Sequence, residues 1–190
     1  MPSYSTSQAF FEEMYAAAGD PWAFATSAYE QNRYATILRA LGHRRFRRAF
    51  EPGCSIGVLT ERLAAVCDRV EAIDISPTAV ARAQDRCRSL PNVGIQQGAL
   101  PDQIPGGTFD LVVFSDIGYY FEAAALRAIA RDLVSRMSSD GILLAAHWLG
   151  TSHDHLLSGD QVHEVLGSMN LPPVQSERHE GFRLDCWRRT

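Results

Sequence analysis

From Arg48 onward the chain alternates short apolar runs with stretches whose apolar residues recur at helical spacing. The apolar runs predict strands at Arg48–Glu51, Val70–Asp74, Val93–Gln97, Phe109–Ser115 and Ile142–His147. Phe109–Ser115 is almost uninterrupted, as in a strand buried on both faces. Helical spacing predicts helices at Gly57–Cys67, Pro77–Ser89 and Ala123–Met137; in the first, Leu59, Leu63 and Val66 share a face. Ser76-Pro77 supplies an N-cap and a proline at the first helical position. Pro91-Asn92 and Asp140-Gly141 turn the chain into the third and fifth strands. Short connections between alternating strands and helices predict an α/β fold, Rossmann-like and doubly wound, with a mostly parallel seven-stranded sheet. A short helix near Asp160–Ser168 precedes the last two strands, Val174–His179 and Phe182–Trp187. Glu180-Gly181 between them predicts an antiparallel C-terminal hairpin.

Ahead of the alternating region, helices are predicted at Ser7–Ala18 and Ala28–Leu41, with a break at Gly19-Asp20-Pro21-Trp22. Tyr34, Ile37, Leu38 and Leu41 give the second helix one apolar face. A single domain over residues 1–190 is expected, with N-terminal capping helices in 1–46 over a sheet core in 47–190.

Composition narrows the chemistry. The net charge of -4 supplies no general field for nucleic acid or anionic membrane. The one basic cluster, His43-Arg44-Arg45-Phe46-Arg47-Arg48, precedes the first strand and reads as a solvated connector, so no nucleic-acid partner is expected. All 18 basic residues are arginine, which excludes a Schiff-base lysine and a P-loop lysine. The four scattered cysteines form no C-x-x-C pair and read as buried thiols in a reducing cytoplasm. Met1-Pro2-Ser3-Tyr4 opens no secretory signal, and no apolar run is long enough for a bilayer, so no membrane partner is expected.

In an open parallel sheet, ligands bind outside the carboxyl ends of the strands. Glu51, Asp74, Asp116 and His147 stand at those ends and should converge on one cleft. The first strand runs into Gly53-Cys54-Ser55-Ile56-Gly57, small residues that let a ligand approach the backbone closely. The spacing is not the G-x-G-x-x-G of a dinucleotide site. A wider turn preceded by an acid suits a sulfonium and an ammonium, hence S-adenosyl-L-methionine. Gly53, Ser55 and Gly57 would floor the site, and Glu51 would attract the ammonium. Asp74, followed by Ile75, would accept hydrogen bonds from both ribose hydroxyls, while Ala99 and Leu100 would flank the adenine. Asp116 would face the meeting point of methyl donor and acceptor and orient an amine. Tyr119 and Tyr120 would wall the transfer channel. His147 is a candidate proton acceptor, with His163 nearby as a substrate contact. His153, His155, His163 and Asp154 lack standard ligand spacing, so no metal is expected.

These residues resemble the class I S-adenosylmethionine-dependent methyltransferases, with Ser55 where the middle glycine is more usual. Asp20-Pro21-Trp22, Ser27-Ala28-Tyr29-Glu30 and Arg33-Tyr34 are similar to the N-terminal signature of the NodS-like nodulation N-methyltransferases. Glu51 to Thr60, Asp74-Ile75-Ser76, Tyr119-Tyr120, His147-Trp148 and Gly159-Asp160-x-Val162-His163 extend the resemblance. It implies a small-molecule acceptor, an amine on an amino sugar or chitooligosaccharide. It also implies that Trp22, Tyr29 and Arg33 close over the cofactor, with Arg33 on its carboxylate. Asp116-Ile117-Gly118 stands where family members often carry glutamate, which leaves more room for the acceptor. O-methylation of a small metabolite is the alternative reaction. Gly53-Cys54-Ser55-Ile56-Gly57 also matches the G-x-S-x-G of serine hydrolases, with Ser55 as nucleophile, but too few strands precede it. A non-catalytic adenosyl-binding module is the third reading. Oligomeric state is not legible.

Overall fold

The structure, a computed structural model, describes residues 7–190. Met1-Pro2-Ser3-Tyr4, read above for a secretory signal, lies outside the described residues. Two helices come first, α1 (Gln8–Ala18) and α2 (Ala28–Ala40). Then follow β1 (Ala49–Pro52), α3 (Val58–Leu63), β2 (Val70–Asp74), α4 (Pro77–Cys87), β3 (Val93–Gln97) and β4 (Phe109–Ser115). A one-turn 3-10 helix (Gly118–Tyr120) leads to α5 (Ala123–Ser135), β5 (Met137–Trp148), α6 (Gly159–Gly167), β6 (Pro173–Arg178) and β7 (Phe182–Arg188).

Serine caps decide several of the starts. The side chains of Ser7, Ser27, Ser76 and Ser158 each accept a backbone N–H of the first turn of α1, α2, α4 and α6. Gln161 completes a capping box with Ser158.

One seven-stranded sheet runs in the order β3-β2-β1-β4-β5-β7-β6. Its strands are parallel except β7, which is antiparallel to both β5 and β6. Strand direction along the chain reverses its walk between β1 and β4, which creates the crevice at that switch point. Alternate residues feed two cores. Ala49, Leu111, Val113 and Leu144 face α2 and α3, with Tyr15, Ile37 and Leu59. Phe50, Val112, Phe114 and Leu143 face α5 and α6, with Leu126, Ile129 and Val162. Each fully buried Val, Leu, Ile or Phe among them contributes about 1.5–3 kcal/mol.

Two elements differ from expectation. Helix α3 stops at Leu63 rather than running to Cys67. The Asn92 amide takes the carbonyls of Ala64 and Cys67, and Phe46 pairs with Cys67, so tertiary contacts claim the last turn. Strand β5 begins at Met137, not Ile142, because buried Met137 pairs with Phe109 ahead of a register shift. Asp140-Gly141 therefore lies within the strand instead of leading into it.

The basic cluster is largely solvated, with His43, Arg44, Arg45 and Arg47 exposed, and three of its arginines find acids. Arg45 pairs with Asp68 at 2.5 Å, Arg47 with Asp110 at 3.6 Å and Arg48 with Glu71 at 2.8 Å. All four cysteines are buried and unpaired. No described helix is long and apolar enough to cross a membrane.

Candidate functional site

A cavity of about 500 Å³ opens over the carboxyl ends of the parallel strands and beneath α1 and α2. Trp22, Tyr29, Arg33, Glu51, Gly53, Ser55, Asp74, Ile75, Ala99, Leu100, Asp116, Tyr119 and Tyr120 all line it. Gly57, His147 and His163 do not.

At one end, β1 and β2 deliver two buried carboxylates. Glu51 accepts the Thr60 hydroxyl at 2.6 Å, yet burial pushes its carboxyl up to about 8. Asp74 accepts the backbone N–H of Ser55 at 2.8 Å and of Ser76 at 3.0 Å. Burial outweighs both bonds and raises it to about 6. Gly53 has φ 74°, and a Cβ there would meet Ile117 at 2.3 Å, so only glycine makes this bend. Gly57 is small for another reason. Its φ is 78°, and a Cβ would stand 3.0 Å from Ala83 on α4, so its freedom serves helix packing rather than the cavity floor. Ser55 is not poised as a nucleophile: its hydroxyl accepts that of Tyr15 at 2.6 Å, and His147 on β5 and His163 on α6 are paired with each other.

At the other end stands Asp116, just past β4, in the left-handed region at φ 53°. It receives Arg33, the Tyr119 hydroxyl at 2.9 Å and the Trp148 backbone N–H at 2.9 Å. Arg33 is only 1% exposed and also donates to Glu30 at 2.6 and 3.0 Å. Burial opposes its charge, but the carboxylates of Asp116 and Glu30 more than offset this and keep the guanidinium protonated. The lid between α1 and α2 is folded by Asp20, which accepts the N–H groups of Phe24 and Ala25 at 2.9 Å each. Trp22 then stacks on Phe24 and meets the edge of Tyr15.

The structure does not bring His147 to the cleft. Pleat parity sends His147 to the α6 side with Ala145, and its neighbour Trp148 to the cavity. His147 Nε2 accepts the Gly118 N–H at 3.2 Å. Its Nδ1 lies 3.2 Å from His163 Nε2, and His163 Nδ1 lies 2.6 Å from Asp185. A proton on each Nδ1 satisfies all three bonds with both rings neutral. Burial holds His147 well below the usual histidine range, in keeping with that arrangement. The pair braces the turn that carries Tyr119.

The sequence reading missed several wall residues. Phe11 and Tyr15 lie four apart on α1, a spacing that puts them on one face and could have flagged them. Glu30 and Tyr34 flank Arg33 on α2. Thr151, Ser152, Asp154 and His155 come from the loop after β5, where no periodicity signals a wall. Glu12 joins α1 to the start of α4, accepting the Ser76 hydroxyl at 2.6 Å and the Thr78 N–H at 3.1 Å. Among the described residues no three His, Cys, Asp or Glu gather as a metal-holding group.

A family model described as Nodulation protein S (NodS) matches residues 7–169. The Nodulation protein S of Sinorhizobium fredii is 35% identical over 127 residues, 66% of this chain and 59% of that protein. That of Bradyrhizobium diazoefficiens is 34% identical over 149 residues, 74% of this chain and 66% of its own length. The chain therefore spans 59% to 66% of these relatives. A solved candidate methyltransferase from Pseudomonas syringae is 36% identical with TM-score 0.77, covering 86% of this chain and 100% of that one. The N-methyltransferase NodS of Bradyrhizobium japonicum WM9, solved with S-adenosyl-L-homocysteine, superposes with TM-score 0.85 at 23% identity, covering 97% and 99% of the two chains. The sheet order and this superposition give the chain the Rossmann-like fold of class I methyltransferases.

Proposed function

The chain belongs to the Nodulation protein S family, and from that premise we propose that it is an S-adenosylmethionine-dependent methyltransferase acting on an amine of a small molecule, an amino sugar being the foremost candidate. One observation carries the reading: a single cavity joins buried carboxylates at the ends of β1 and β2 to a charged Arg33–Asp116 pair beside β4.

The chemistry of the lining residues supports this cofactor. Asp74 suits a ribose diol, because an ionised carboxylate accepts two hydroxyl bonds without leaving the pocket. Ile75, Ala99 and Leu100 beside it suit a flat purine. Glu51 suits an ammonium, whose charge would draw its raised carboxyl back to the ionised form, and the Arg33 fork suits a carboxylate. Trp22 from the lid and Tyr29 from the first turn of α2 exclude water. When bound, S-adenosylmethionine supplies an activated methyl group on a sulfonium. The protein's part is then alignment and desolvation of the acceptor. Asp116 holds and orients an amine, and Tyr119, fixed to it, sets the approach. Four buried, unpaired cysteines support a cytoplasmic location.

The test is a cofactor-loaded screen against primary amines, amino sugars and hydroxylated metabolites, following a 14-dalton mass gain (one methyl for one hydrogen). Gain on amines and none on hydroxyl-only compounds is expected. Transfer to hydroxyls alone would replace N- by O-methylation.

A further inference from the structure

Among the described residues, His155 is the only histidine that lines the cavity. Its loop is pinned to the acceptor end: the N–H groups of Leu156 and Leu157 donate to the Tyr119 carbonyl at 2.8 and 3.3 Å. The His155 N–H closes the loop on the Ser152 carbonyl at 3.2 Å. The imidazole stacks on the Tyr119 ring, with centroids 3.8 Å apart and planes 15° off parallel. It meets Tyr120 and Trp148 edge-on at 5.3 and 6.1 Å. Tyr119 in turn donates to Asp116, so a half-buried imidazole is held in a fixed plane beside the carboxylate that orients the amine. His147 and His163, by contrast, have their ring nitrogens committed to Gly118, to each other and to Asp185.

We propose that His155 is a catalytic residue, accepting the proton that the acceptor amine gives up during methyl transfer. The inference rests on the N-methyltransferase reading. The amine nitrogen attacks the methyl carbon, and a C–N bond forms as the S–C bond breaks. S-adenosylhomocysteine is left as a neutral thioether, and the positive charge moves to the alkylated nitrogen. One proton of that nitrogen passes to a ring nitrogen of His155. The imidazolium returns it to water as the neutral methylated amine leaves.

The surroundings keep the ring in its accepting form. Burial lowers its proton affinity and His153 adds to this, while the Asp154 and Asp116 carboxylates oppose it; the net shift is downward. Tyr119 and Tyr120, packed against the ring, are held above the usual phenol range by burial and stay neutral. Arg33 faces Asp116 rather than the imidazole, as their ion pair requires.

The experiment compares wild type, His155→Ala and His155→Gln on a panel of primary amines that includes glucosamine. Calorimetry with S-adenosylhomocysteine should give affinities within about twofold of wild type, since His155 serves the acceptor. At pH 7 kcat should fall about a hundredfold or more. Two groups shape the wild-type acidic limb, the acceptor's own ammonium and His155; both variants should keep only the first and so lose the steeper dependence, and added imidazole should restore part of the His155→Ala rate. Wild-type kcat in the variants, or a loss that keeps the wild-type steepness of the acidic limb and resists imidazole, would overturn the proposal. A wild type that binds S-adenosylhomocysteine yet methylates no amine overturns the N-methyltransferase reading and the role of His155 with it. That outcome is distinct from active wild type with indifferent variants.

Discussion

Glu51 and Asp74 are fully or nearly fully buried carboxylates whose folded pKa lies above the ordinary range, at about 8 and about 6. Their sign is opposite to that of a salt-bridged acid. A raised pKa means that folding favours the protonated form. The stabilisation from Glu51 is complete below its unfolded value of 4.5 and is lost as pH rises through about 8. Stability therefore falls with each pH unit inside that window. Glu51→Gln has no proton to lose. Melting of the ligand-free protein between pH 5 and 8.5 should therefore fall more steeply for wild type than for the variant. Parallel profiles would mean that Glu51 is already ionised in the fold. The position of His147 teaches the converse lesson. It was legible as a strand-end histidine, but its face was set by the pleat: Leu143, Ala145 and His147 share a side that packs on α5 and α6. The same parity, applied to the sequence, sends Trp148 to the cavity.

At the scale of elements, strand interiors and caps were readable and their far ends were not. Val93–Gln97 and Phe109–Ser115 occur as predicted, because apolar patterning and turn residues bound them locally. Ser76 and Pro77 opened α4 for the same reason. Helix α3 and strand β5 deviated where a distant partner, Asn92 or Phe109, decided the hydrogen bonding. The placement of α1 is likewise a tertiary matter, resting in part on Glu12. Its bonds to Ser76 and Thr78 hold Phe11 and Tyr15 against the cavity. Glu12→Ala should weaken S-adenosylhomocysteine binding by about three- to tenfold, with faster amide exchange in α1 than in α5. Unchanged affinity would show that α1 seats without this clamp.

For the whole molecule, the helical cap and the sheet are proposed to form one folding unit. Tyr15, Tyr34 and Ile37 from the cap share a core with Leu111, Leu144 and Leu184 of the sheet. Separate units would not share a core. Denaturant unfolding should then give coincident transitions by far-ultraviolet dichroism and tryptophan fluorescence, since Trp22 reports the cap and Trp187 the core. A Trp22 signal that leaves earlier would divide the chain near residue 46. The site itself follows from topology: acids at the ends of β1, β2 and β4 must meet once the strand order reverses between β1 and β4. That much was legible in Glu51, Asp74 and Asp116. The loop from Thr151 to His155 was not, because nothing periodic in its sequence says which way it folds.

The account depends above all on an adenosyl ligand lying across the first strand-to-helix bend with its sugar on the second strand's acid. Calorimetric titration of S-adenosylhomocysteine into wild type and Asp74→Ala measures this directly. Saturable binding to wild type is predicted, weakened about ten- to a hundredfold by the substitution, as loss of charge-assisted hydroxyl bonds of about 1.5–3 kcal/mol requires. Equal affinity in both proteins, or no heat in either, would contradict it.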